Sequence, residues 1–165
     1  MSDFDLAMPA PVLVIGAGNF LMGDEGVGVH ALRLLEQLPA IAGVRLLDGG
    51  TGGINLLGEL EGVKCVVFID ATRDGQPAGT LAHLRPGRVI DIPRGLSAHD
   101  FGVKDLFATA ALLGQLPELH VFTISVETLR PMCIQLSDTV VAVLPEVVRR
   151  VMELAHDLVG ASKKL

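Results

Sequence analysis

The sequence predicts an α/β fold: a three-layer sandwich in which a mostly parallel, twisted sheet of about five strands is flanked by helices. Three observations predict it. Short, continuous Val/Ile/Leu runs read as strands buried on both faces, which is the pattern of parallel sheets. Segments with helical spacing separate most of these runs, and parallel neighbours require such crossovers. The 165 residues, 50% hydrophobic and 19% charged, suffice for one buried core and are few for two. A single domain over residues 1–165 is expected, with residues 1–10 and 160–165 as frayed ends.

The first strand is read at residues 12–15, running into GAGNFLMGDEGVG. From about Glu25, the residues Val27, Val29, Leu32, Leu35 and Leu38 favour one face of a helix that ends before Pro39. A second strand, 44–47, ends at Asp48 and the cluster GGTGG, after which Ile54, Leu57 and Leu60 suggest a short helix. The third strand, 65–69, ends at Asp70. Residues 71–79 carry turn chemistry, and 80–84 form an edge strand before the Pro/Gly-rich stretch 86–95. Ser97 or Asp100 caps a helix over about 101–113, with Val103, Leu106, Phe107, Ala110 and Leu113 on one side. Another strand covers 120–126. A final amphipathic helix runs from about 137 to 159, interrupted or kinked at Pro145, with Lys163 and Lys164 in the tail.

Composition removes several classes of function. Thirteen basic against 19 acidic residues give a net charge of -6, which repels a phosphate backbone, and the absence of Trp and Tyr leaves few rings to stack on bases. Nucleic acid is not an expected partner. Mean hydropathy is high at +0.51. Even so, Gly, Asp, Arg or Pro cuts every apolar run short of the roughly 20 residues a spanning helix needs, so no membrane association is expected. The N-terminal MSDFDLAMPAP places two aspartates where a secretory leader carries positive charge. Cys65 and Cys133 sit in apolar runs and fit no CxxC pattern. They read as small core residues in a reducing cytoplasm.

In open α/β sheets, ligands bind beyond the carboxyl ends of the strands, where strand order reverses. Three loops qualify, and all carry carboxylates: residues 16–28 with Asn19, Asp24 and Glu25, residues 48–53 with Asp48, and the Asp70 loop. His99, in RGLSAHD, is a fourth candidate. Imidazole and carboxylates suit a borderline divalent ion, so Glu25, Asp70 and His99 form a candidate N/O set. Their separations match no local metal motif, and only the fold can bring them together.

Each feature also has a purely structural reading. Asp24 can cap the first helix, with Glu25 favouring its positive end, and Asp70 can be a turn or cap residue. GAGNFLMG begins like GxGxxG, but Leu21 occupies the third glycine position and no GK[ST] follows, which weakens a nucleotide-binding reading. GLSAH at 95–99 misses the GxSxG elbow at its last position and follows coil, against a Ser97 hydrolase. HExxH is absent, and Cys65 is mid-strand, a poor nucleophile. His30, His83, His120 and His156 are expected as solvated or hydrogen-bonded histidines.

Taken in order, VLVIGAGNFLMGDEGVGVHAL, LLDGGTGGINLL, VVFIDA and SAHD resemble the hydrogenase maturation endopeptidases. That family is marked by a GxGNxLxxDxGxG-type loop after the first strand, a DGGT-type loop, an Asp after the third strand and a His before a helix. The resemblance is collinear over roughly residues 11–114. It implies an endopeptidase that removes a short C-terminal extension from the precursor of a nickel-iron hydrogenase large subunit after nickel insertion. The family's metal-contacting residues map onto Glu25, Asp70 and His99. Nickel is then carried by the precursor and not held at rest, and the three side chains test whether the substrate is loaded.

Two carboxylates and a neutral imidazole leave coordination positions open for substrate ligands. With no Ser or Cys nucleophile, water attack assisted by metal or carboxylate is expected, with Asp70 or Glu25 as base. Asn19 and the loop of Asp48, Gly49, Gly50 and Thr51 would position the substrate tail. Many members carry a Pro-Glu pair after the strand near residue 125, where this chain reads ISVETLRP, with Val126 before Glu127. A monomer is expected. Two other functions stand beside this one: a non-proteolytic nickel-sensing chaperone of the precursor, which uses the same triad, and a nucleotide-binding regulatory domain at the GAGN loop.

Overall fold

The structure, a computed structural model, describes residues 10–96 and 102–164. Five strands, β1 (Val12–Ala17), β2 (Val44–Gly50), β3 (Cys65–Thr72), β4 (Leu81–Leu84) and β5 (Glu118–Ser125), form one sheet in the order β2-β1-β3-β5-β4. All pairings are parallel except β4 with β5. The antiparallel edge strand β4 matches the stretch read as an edge from sequence.

Three helices, α1 (Val27–Glu36), α2 (Val103–Leu112) and α3 (Asp138–Ser162), complete the layers. Alternate residues of each central strand enter two different cores. Val12, Val14, Val67, Ile69, Phe122 and Ile124 pack with α1 and α3. Leu13, Ile15, Val66, Phe68 and Val121 pack with α2 and a 3₁₀ segment, Gly53–Leu60. Both faces of β1, β3 and β5 are therefore dry, which is why these strands read as unbroken apolar runs. Phe68 meets Phe107 of α2 edge to face at 6.3 Å, a geometry worth about 1 kcal/mol beyond its area.

Several boundaries differ from expectation, each for a tertiary reason. β3 continues past residue 69 because β5 pairs with it as far as Thr72, opposite Ser125. Asp70, expected in a loop, thus lies inside the strand and is fully buried. β2 likewise continues through Asp48 to Gly50. The short helix after it is 3₁₀, not α. The cap expected from Ser97 or Asp100 falls outside the described residues; Gly102 stands at the N-cap position of α2 with no side-chain cap bond.

α3 runs unbroken through Pro145 and on to Ser162, three residues into the stretch expected to fray. Pro145 is exposed, so the carbonyl it leaves without a helical partner belongs to the solvent face, where Val141 is 49% exposed. Cys133 is no core residue: it lies in the coil between β5 and α3, half-buried, with backbone bonds to the loop after β1. No helix among the described residues is long and apolar enough to cross a membrane.

Strand order sets the location of the crevice. β1 connects to β2 on one side, and the chain then returns to β3 on the other, so the order reverses between β1 and β3.

Candidate active site

The loop after β1 is built by short-range hydrogen bonds. Asn19 Oδ1 accepts from the Leu21 N–H at 3.0 Å, and its carbonyl accepts from the Met22 N–H at 3.1 Å. This Asx turn aims the chain into a 3₁₀ turn, Asp24–Gly26, which leads directly into α1. The Gly18 N–H donates to the Gly50 carbonyl at 2.9 Å and ties this loop to the end of β2.

Gly28 explains how the turn reaches the crevice. A Cβ there would drive into the carbonyl oxygens of Ile69 and Ala17, so only glycine lets α1 lie directly on the backbones of β3 and β1. The turn carrying Glu25 consequently packs against β3, which carries Asp70 beside Ile69. Glu25 is 5% exposed and Asp70 0%. The Asp70 Oδ1 accepts from the Ala71 N–H at 2.8 Å. Two buried carboxylates thus stand on contacting elements at this end of the β1–β3 seam, and carboxylate oxygens are of the type that ligates divalent ions.

Asp24 caps something other than α1. Its carboxylate accepts from the Ser137 N–H at 2.7 Å and from the Ser137 hydroxyl at 2.8 Å, joining the loop to the start of α3. No spacing in the sequence points to this bond.

The remaining candidates fall around the same edge. Asp48 is exposed and its Oδ1 accepts from the Gly50 N–H at 3.0 Å. Gly50 needs a positive φ of 44°, and Gly49 is buried where a Cβ would press on Ile15. Thr51 is exposed at the tip. Asn19, half-buried, uses its side-chain oxygen within the loop, leaving its amide nitrogen for other contacts.

His99 lies outside the described residues, and among the described ones no group of three His, Cys, Asp or Glu is arranged to hold a metal. The segment leading to it departs from the end of β3: Thr72 bridges Leu96, and the Arg73 N–H donates to the Gly95 carbonyl at 3.0 Å. Glu127 accepts from the Ala78 N–H at 3.2 Å and closes the turn before β4.

A second polar constellation, not legible in the sequence, lies at the opposite end of β5. Glu118 Oε1 accepts from Arg85 at 2.7 Å and from His120 Nε2–H at 2.9 Å. That leaves His120 Nδ1 to accept from His83 Nε2–H at 3.0 Å. His83 stacks on Phe122 at 4.4 Å. The hydrogen bond from His120 holds the Glu118 carboxyl below its ordinary range, and burial, then the neighbouring His120, pushes the His83 imidazole down. Burial also raises the Cys65 thiol, which makes it a poor nucleophile.

Comparison with known proteins bears on the family and the fold. A family model described as hydrogenase maturation protease matches residues 29–154. The hydrogenase expression/formation protein HupD of Rhodobacter capsulatus is 41% identical over 115 residues, 66% of this chain; the chain spans about half of that relative, 53% of its length. The hydrogenase 2 maturation protease of Escherichia coli (strain K12) is 33% identical over 147 residues, 86% of this chain and 88% of its own. The solved structure of the hydrogenase maturating endopeptidase HybD from E. coli superposes with a TM-score of 0.77 at 31% identity, covering 88% of this chain and 92% of that one.

Proposed function

We propose, for a chain that belongs to the hydrogenase maturation protease family, that it cuts the C-terminal extension from a nickel-iron hydrogenase large-subunit precursor once nickel is in place. The observation that carries this reading is the burial of Glu25 and Asp70 on contacting elements at the β1–β3 switch point. Two carboxylates in a dry crevice are stabilised by a cation, and nickel presented by the substrate supplies one. With His99 they form an N/O set that discriminates a loaded precursor from an empty one.

In this reaction a water oxygen adds to the scissile carbonyl carbon, and one carboxylate of the pair accepts the water proton. The C–N bond then breaks and the same proton passes to the departing amine. Nickel carried by the precursor would supply Lewis-acid polarisation of the carbonyl, with Glu25, Asp70 and His99 as the residues that would meet it. The loop of Asp48, Gly49, Gly50 and Thr51, tied to the β1 loop through the Gly18 N–H, holds the extended tail by its backbone, with Asn19 beside it. The protein acts as a monomer in the cytoplasm, and nickel belongs to the substrate, not to the resting enzyme.

The test is incubation of the purified protein with nickel-loaded and nickel-free precursor, followed by measurement of the subunit mass. Mass loss confined to the loaded precursor is expected. No mass loss with either substrate overturns the proteolytic reading in favour of a chaperone, and equal loss with both overturns metal recognition.

A further inference from the structure

The coil between β5 and α3 runs alongside the loop that carries Glu25 and is fastened to it at successive points. Leu129 bridges Gly23, the Cys133 N–H donates to the Leu21 carbonyl at 3.0 Å, and the Gly23 N–H donates to the Cys133 carbonyl at 2.7 Å. Arg130 lies so close that its Cβ would sit 3.2 Å from a Cβ at Gly23. His30 of α1 bonds the Ile134 carbonyl at 3.0 Å, and Asp24 holds Ser137 at the end of the segment. This is a rigid strap and not a loose connection.

On that strap, Met132 adopts φ 59°, the only non-glycine residue with positive φ among the described residues. A methionine pays conformational strain there that glycine would not. It is also 88% exposed, so core packing does not explain its position. Ile134, 53% exposed, follows Met132 by two residues, and Leu21, 52% exposed, is tied to the intervening Cys133 by the backbone bond between them. Rigid backbone, strain and adjacent bare apolar side chains together mark a contact surface, and methionine is the side chain that adapts best to a variable apolar partner.

We propose that Leu21, Met132 and Ile134 form a specificity lip that docks an extended apolar segment of the precursor next to its scissile bond, a proposal that rests on the function inferred above. The occupant follows from continuity with the site. Gly23, which carries one rung of the ladder, is two residues from Glu25, and both Glu25 and Asp70 are recessed. A substrate whose metal reaches recessed carboxylates must lay its adjoining chain across the rim, and the lip is an apolar part of that rim.

Processing kinetics with nickel-loaded precursor test this. The Met132→Glu/Ile134→Glu double variant should raise KM about tenfold or more with kcat changed less than about twofold. Met132→Gly should raise KM by a smaller factor while keeping or raising the thermal midpoint, which separates docking from folding. Leu112→Glu, equally exposed at 88% but on α2, should leave both constants unchanged. An unchanged KM in the double variant, or an equal rise in Leu112→Glu, overturns the lip while leaving the protease reading intact. Failure of the unaltered protein to cut loaded precursor overturns both.

Discussion

The Asp24 carboxylate receives both the backbone N–H and the hydroxyl of Ser137, at 2.7 and 2.8 Å, across 113 residues of chain. The turn bearing Glu25 is thereby joined directly to the start of α3. Asp24 is 7% exposed, so water cannot replace Ser137 without rearrangement. Asp24→Ala should therefore lower the unfolding free energy by about 1–2 kcal/mol, the cost of leaving two half-buried donors of Ser137 without their acceptor. Denaturant unfolding of Asp24→Ala, Ser137→Ala and the double variant measures it. Additive losses would show that the two residues are not coupled.

Substitutions at the proposed site should separate chemistry from folding. Glu25→Gln, Asp70→Asn and His99→Ala should each reduce precursor cleavage by about 100-fold or more, with unchanged far-UV circular dichroism. Asp70→Asn is the informative choice because Asp70 is fully buried in β3, and alanine would remove the acceptor of the Ala71 N–H. Stripping nickel from the precursor should abolish cleavage by the unaltered protein. Wild-type rates in all three variants would contradict the assignment.

Gly28 tolerates no side chain. Gly28→Ala places a methyl group against the Ile69 and Ala17 carbonyl oxygens, and because both belong to the central strands neither can give way. A loss of at least about 2 kcal/mol is expected, read as a lower urea midpoint or loss of soluble protein. Gly58→Ala, where nothing lies within 4 Å, is the control and should be near neutral.

Stability should fall as pH falls, in two windows. His83 and His30 have pKa values lowered from 6.5, mainly by burial, so below 6.5 the unfolded chain binds more protons than the folded one. Their contribution is present above 6.5 and is lost as pH drops from there toward the depressed folded values. Glu118, lowered from 4.5 chiefly by its bond to His120, adds a second loss below 4.5. Thermal midpoints recorded from pH 8 to 4 should decline in both ranges. In His83→Gln, whose amide still donates to His120, the decline between pH 7 and 5 should be shallower, and an identical slope would exclude His83 as a contributor.

Much of the fold was legible because its determinants are local in sequence. The runs from Val12, Cys65 and His120 are strands because each must be apolar on two faces, and periodicity from Val27 to Leu35 exposes one face of α1. The glycines and carboxylates after β1 and β2 announced loops with chemistry. What escaped was set by partners far along the chain. Asp70 reads as the end of a strand because a charge follows apolar residues, yet pairing with Thr123 keeps it inside β3. Asp24 reads as a cap of the helix it precedes, yet its partner is Ser137. Pro145 reads as a break, yet it faces solvent, where its missing hydrogen bond is cheap.

By itself, the sequence determined the layered α/β architecture, the order of its elements and the residue types able to meet a divalent ion, since hydrophobic periodicity and side-chain chemistry need no knowledge of distant neighbours. Tertiary structure alone decided that Glu25 and Asp70 are buried on contacting elements, that Asp24 serves α3, and that a strained methionine stands exposed on the coil paired with the β1 loop. The physical reason is that these depend on close approach, through Gly28 on the Ile69 backbone and through the strap on Leu21 and Gly23, and such contacts between distant segments leave no spacing to read.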